Sequence, residues 1–442
     1  IFILCNLHAV LFCPAFLDLI ISGPVDLTLI FYCFCSGFIH YLLLFWCQTV
    51  IQLLIGFCIG ASSGAGVVTS QYYGAKNEEG VRKAVHTTLA ISISAGIVLS
   101  VIGVLAAPAI LKAMGTPEEV FEQAADYLQV YFAGIIFAIV YNMSAGILNA
   151  VGNSRRSLMY LVIAVVTNIV LDILFVYVFR MGVIGAALAT DISQLVSCVF
   201  ILRFLSKSRE MYRVQLRKIR FYDHLLSRIL KIGLPTGVQS IVISLSNILV
   251  QSSINSFGAT VMASYAAFNK IDGIILLPIM SISMAATTFC GQNFGACEVE
   301  RVKKGMKTSV GMGTLYAIAA GAVMLIFGPY IIRIFTGEQA VIENGIYMMN
   351  LMYPFYWTLA IMNITIGAIR GTGRTMEGMV VSIFSLCVCR VIWIFAALRI
   401  SHRLSLLILG YPITWIIGAV IMLVYIKRGR WLRVEELEER SL

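Results

Sequence analysis

Apolar runs of helix-spanning length alternate with short polar stretches along most of the chain. They cover approximately 45–72, 86–111, 127–150, 158–179 and 183–205, and, after a basic stretch, 232–256, 260–290, 308–332, 345–369, 377–398 and 404–426. A helix crosses the hydrocarbon layer with about 20 apolar residues, so each run is long enough to span. The run from Met159 to Val178 is apolar on nearly every side, whereas a membrane β-strand alternates apolar and polar positions. One or two further candidates lie in residues 1–44. The expected fold is an all-α polytopic membrane protein with twelve transmembrane helices and both termini on one side.

Composition agrees with a bilayer as solvent. Of 442 residues, 60% are hydrophobic and 12% charged, and the mean hydropathy is +0.91. Soluble domains carry roughly twice that share of charge. The eleven cysteines include no CxxC pair and lie mostly inside apolar runs, where they read as small buried hydrophobes rather than a zinc site or disulfide framework. His86, His224 and His402 sit at the edges of loops and form no ligand cluster.

The net charge of +10 resides mainly in short loops. Taking alternate loops, 74–86, 152–157, 203–231, 297–308, 370–374 and the tail from Lys427 together hold 25 Lys and Arg, against five in the opposite set. The positive-inside rule then places the first set and both termini in the cytoplasm, as expected of a multi-pass protein of the cell (inner) membrane. The nine basic residues between Arg203 and Lys231 flank a membrane without a folded module, so lipid is the expected partner and nucleic acid is not.

The chain repeats itself at an offset of 221 residues. From Gln71 to Thr87 against Gln292 to Thr308, seven of seventeen positions are identical, and the same offset aligns Asn142 with Asn363, Gly146 with Gly367 and Gly152 with Gly373. Six spans per half is an even number, so the halves enter the membrane from the same side as parallel repeats. Expected are an N-lobe over 1–205, a cytoplasmic linker over 206–231, a C-lobe over 232–426 and a tail over 427–442. Two such bundles facing across a cleft suit a monomeric secondary transporter, and no GxxxxGK[ST] motif points to ATP.

Gly60-Ala61-Ser62-Ser63-Gly64-Ala65-Gly66, Ser70-Gln71-Tyr72-Tyr73-Gly74-Ala75-Lys76, the stretch Gly146 to Gly152, and Gly233-Leu234-Pro235 resemble the multidrug and toxic compound extrusion (MATE) family. The similarity runs in order from about residue 50 to 426, while residues 1–48 depart from the family pattern. The resemblance implies two six-helix lobes, a V-shaped cavity, and export of amphipathic, often cationic compounds in exchange for inward H⁺ or Na⁺. It implies no enzyme activity and no cofactor.

An ionisable group inside a span costs roughly 2.5 to 3.5 kcal/mol on insertion scales, so each calls for a role. Asp172 lies past the middle of its run, with Asn168 one turn earlier on the same face and Thr190 on the next run; together they form an oxygen set for Na⁺ or a proton. The DinF-like branch of the family is similar in having Asn and Asp four apart on the fifth helix, Thr on the sixth and Asp on the first. Asp26 is the candidate fourth member, and Asp191 has no assigned role. The branch with a Glu on helix seven and an Asp on helix ten is not matched, since those places hold Ile243 and a position near Leu359.

In the second half, Lys270 and Asp272 lie near the middle of their span and Arg390 inside another; Asp272 with Arg390 is a candidate buried pair. With Met280, Met284 and Tyr356 these residues form the candidate substrate cavity, since methionine adapts its shape and aromatic faces attract cations. The alternatives are a lipid-linked oligosaccharide flippase, which would be expected to show several cavity Arg or Lys, and a polytopic membrane enzyme, for which no acid/base pair stands out.

Overall fold

The computed structural model describes Gly56, Cys58 and residues 60–401, 403–429, 431 and 432. Its regular structure among these residues is entirely helical. Helix α1 is described over 60–74. Ten helices of membrane-spanning length and hydropathy follow: α2 (Glu78–Ala113), α3 (Glu118–Ala150), α4 (Ser154–Val178), α5 (Gly182–Lys207), α6 (Asp223–Asn255), α7 (Ala259–Gly295), α8 (Val299–Arg333), α9 (Gln339–Gly371), α10 (Thr375–Ala397) and α11 (Leu404–Lys427).

The pattern of exposure is that of a protein solvated by hydrocarbon. Along α4, Leu158, Val162, Val166 and Val170 form an uncovered ridge at intervals of four, while Ser157, Tyr160, Ala164 and Asp172 are buried. Water would penalise that ridge, and lipid does not. Helices α6 and α2 start about nine and eight residues before the apolar runs that predict them, through polar turns containing Arg228 and Lys231 in one and Glu78, Glu79 and Arg82 in the other.

The chain forms two compact units. The first comprises residues up to Ser62 together with Val81–Ser227, and the second Ser63–Gly80 together with Arg228–Leu442. In the first, α5 packs against both α3 and α4; in the second, α9 packs against α7, α8 and α11. The expected linker is shorter than 206–231, because α5 continues to Lys207 and α6 begins at Asp223.

Several local constructions occur twice at the 221-residue offset. In the first unit Ser62 Oγ donates to the Asn142 carbonyl at 2.7 Å, and in the second Ser283 Oγ donates to the Asn363 carbonyl at 2.8 Å. Gly146 and Gly367 leave room for those same two serines. The turn closing α1 places Lys76 at φ 56°, and the turn closing α7 places Cys297 at φ 60°. Each turn carries the same three backbone bonds, from Ala75, Lys76 and Asn77 in one and Ala296, Cys297 and Glu298 in the other. Glycine would fit the left-handed position best. The glycines stand instead two residues earlier, where Gly74 lies on the backbone of Gln292 and Gly295 on the backbone of Gln71, approaches that no side chain would permit.

Candidate cation-coupling site

Spacing alone sets one face of α4. Residues 157, 160, 164, 168 and 172 recur every three or four positions, and this is the side turned into the first unit. Asp172 is fully buried there, and Asn168 one turn earlier is half-buried, its Nδ2 having no hydrogen-bond partner among the described residues. Regular α-helix stops at Asp172. A π-helical stretch, Ile173–Val178, follows at once, and the Phe179 amide bonds the Leu174 carbonyl at 2.9 Å. Such wide turns recur at functional sites, because the extra residue redirects the side chains around it.

Thr190 lies on α5, the helix packed against α4. Its hydroxyl donates to the Ala186 carbonyl at 3.0 Å. With its proton committed there, Oγ1 presents only lone pairs to anything else that approaches. A carboxylate, an amide and an acceptor hydroxyl are thus placed on two packed helices of the first unit, a donor set of the kind that holds a hard monovalent cation or a proton. Asp26 lies outside the described residues.

Asp191, one position beyond Thr190, has a contact that the sequence pattern gave no reason to expect. Its carboxylate fills the space that a Cβ of Gly134 on α3 would occupy. The signal in the sequence was a glycine in the middle of a neighbouring span, uninformative until the two helices are known to touch.

In the second unit Arg390 is 4% exposed. Its Nη1 donates to Asn247 Oδ1 at 3.4 Å and its Nη2 to Thr414 Oγ1 at 3.2 Å, and the guanidinium lies 4.3 Å from the centre of the Tyr411 ring. The Tyr411 and Tyr265 hydroxyls share a 2.6 Å hydrogen bond. The expected pair of Asp272 with Arg390 is not formed. Neutral groups from α6 and α11 occupy the guanidinium, and Asp272 Oδ1 on α7 is buried without a hydrogen-bond partner among the described residues. A second π stretch, Ile383–Cys389, ends directly before Arg390.

The other candidate cavity residues divide. Lys270, Met280 and Met284 are exposed on α7. Tyr356 is fully buried, edge-on to Tyr353 and Trp415 with ring centres at 5.0 and 5.2 Å, so it belongs to the packed interior rather than to an open wall. Leu359 is also buried. Among the described residues no group of three His, Cys, Asp or Glu side chains is placed to hold a metal ion.

The family model described as MatE matches residues 45–174 and 235–396, which include Asn168, Asp172 and Arg390. The chain belongs to the MatE family. It is a membrane transporter rather than an enzyme. It is 30% identical to the probable multidrug resistance protein YoeA of Bacillus subtilis (strain 168), over 84% of this chain and 82% of that protein. Over 76% of this chain and 74% of that protein, it is 23% identical to the multidrug export protein MepA of Staphylococcus aureus (strain NCTC 8325 / PS 47). The fold is similar to the outward-facing conformation of a multidrug resistance MATE family transporter, with a TM-score of 0.83 and 23% identity over 90% of this chain and 89% of that one. It is also similar to a MOP superfamily transporter from Pyrococcus furiosus, with a TM-score of 0.82 and 23% identity over 88% and 87%.

Proposed function

We propose that this MatE transporter exports small amphipathic organic compounds, cationic ones foremost, in exchange for inward H⁺ or Na⁺, and that Asp172, Asn168 and Thr190, with Asp26, form the coupling set of a DinF-like carrier. The observation that carries this reading is a carboxylate buried in a membrane helix, one turn from an amide whose buried nitrogen has no partner among the described residues, and directly before a π stretch. Inward movement of one elementary charge gains about 2.3 kcal/mol per 100 mV, so binding the coupling cation at such a carboxylate ties the membrane potential to the exchange. Neutralising it weakens its attraction for a cationic substrate and favours release.

The architecture in this reading is twelve spans in two six-helix lobes, with both termini cytoplasmic and the chain acting as a monomer. The paired constructions at an offset of 221 support the two repeats, and the mode of transport in this reading is alternating access. Lys270, Met280 and Met284 are the cavity candidates with exposed side chains. The test is transport of a fluorescent organic cation in proteoliposomes with imposed pH or Na⁺ gradients. Export should follow one of the two gradients, and transport indifferent to both would overturn the proposal.

A further inference from the structure

The segment between α5 and α6 is short, yet it is firmly built. The Val214 amide donates to the Leu205 carbonyl at 3.1 Å, Arg213 Nε to the Ser206 carbonyl at 3.3 Å, and the Gln215 amide to His86 Nε2 at 3.0 Å. The Nδ1 of His86 lies 2.6 Å from the Arg82 carbonyl, so the imidazole that satisfies both contacts is the neutral form carrying its proton on Nδ1. Tyr212 and Val214 are buried at 6% and 2% exposure, which fixes this strand of chain against the first unit. Further on, the Tyr222 ring lies under Arg220 at 4.7 Å and Lys83 at 5.8 Å.

Between these anchors a single 3₁₀ turn, Leu216–Lys218, is held outward. It presents an unusual combination. Leu216 is 66% exposed and Phe221 46% exposed, and among them Arg213, Arg217, Lys218 and Arg220 are exposed as well. The neighbouring acids Glu210 and Asp223 leave the patch basic. Two large apolar side chains held away from protein are unfavourable in water. The segment joins α5, whose apolar run ends near 205, to α6, whose apolar run begins near 232, so it lies on the side of the membrane from which both helices emerge.

We infer that the Leu216–Phe221 turn is a docking foot for anionic phospholipid, with Leu216 and Phe221 entering the interfacial layer and Arg217, Lys218 and Arg220 holding the headgroup phosphates. The combination of basic and apolar side chains is what interfacial binding requires, the first for the charged surface and the second for the acyl boundary. Its pinning by Leu205, Ser206 and His86 means that little chain entropy is lost on docking, and that lipid contact at the foot is transmitted to the ends of α5 and α2. This inference requires a membrane-embedded chain but not the coupling chemistry proposed for Asp172.

The test uses the full chain with the photoreactive residue p-benzoylphenylalanine in place of Phe221, reconstituted in vesicles of mixed phosphatidylglycerol and phosphatidylcholine. After illumination, mass spectrometry should find adducts enriched in phosphatidylglycerol over its share of the bilayer. In the same background R217Q, K218Q and R220Q together should remove that enrichment, since each charge near an anionic surface contributes about a fivefold preference. These side chains are exposed and the triple variant should fold normally, which size-exclusion chromatography checks. A phosphatidylglycerol to phosphatidylcholine ratio equal to that of the bilayer, or an enrichment unmoved by the triple variant, overturns the inference. So does the absence of any lipid adduct.

Discussion

Asp172 in the first unit and Arg390 in the second both stand at the junction of an α-helical stretch and a π-helical one, and both are buried. Their surroundings differ. Arg390 is gripped from two helices by Asn247, Thr414 and the Tyr411 ring, and Tyr411 is itself tied to Tyr265. Beside Asp172, by contrast, the amide of Asn168 keeps a buried nitrogen without a partner among the described residues, and Thr190 has turned its proton away to Ala186. A charge wrapped in permanent neutral partners is fixed in place. A charge whose neighbours retain unused bonding capacity is suited to take up and release something mobile. In the coupling reading proposed above, exchange belongs to the first unit and Arg390 to fixed polar packing in the second, where Arg390 Nε and Asp272 Oδ1 are also buried without a hydrogen-bond partner among the described residues.

The largest effect should come from Asp172→Asn, which keeps shape and burial but removes the charge. Gradient-driven export in proteoliposomes should be abolished while the protein remains inserted and monodisperse. Full retained export would remove Asp172 from the mechanism and dissolve the contrast with Arg390. Next in size is Arg390→Met. It leaves Asn247 and Thr414 without their donor, and thermal unfolding in detergent should show a loss on the order of 1 to 3 kcal/mol, while the cation dependence of the remaining transport stays unchanged. Loss of that dependence, as in the Asp172 variant, would mean that the second unit also couples.

Asn168→Ala and Thr190→Ala remove neutral ligands only, so each should weaken coupling less than Asp172→Asn does, read as a higher coupling-ion concentration for half-maximal transport. Equal or larger defects would point to a structural role. The smallest expected effect is that of Tyr411→Phe, which keeps the ring under Arg390 and deletes one hydroxyl of the pair with Tyr265. A stability loss of about 1 kcal/mol is expected, with unchanged transport.

What was legible in the sequence follows from what a bilayer enforces. Spanning helices must be apolar over a set length, so their centres and order were readable, whereas the polar turns at the starts of α6 and α2 do not look like membrane segments and were missed. The face shared by Asn168 and Asp172 was readable because it depends only on helical spacing within one segment. The partners of Arg390 come from two other helices and are neutral, so no periodicity marks them, and an acid on α7 was the more obvious candidate. Asp191 escaped assignment for a related reason, its neighbour being the missing side chain of Gly134.

The measurement that bears most directly on the central claim is equilibrium binding of a fluorescent organic cation to the purified transporter, titrated with H⁺ and with Na⁺, in the wild type and in Asp172→Asn. If Asp172 is where substrate release and cation entry meet, one of the two ions should weaken substrate binding in the wild type. The variant should have lost that sensitivity. Binding that is unchanged from acid to alkaline pH and with or without Na⁺ in the wild type, or a competition that persists undiminished in the variant, would contradict the account.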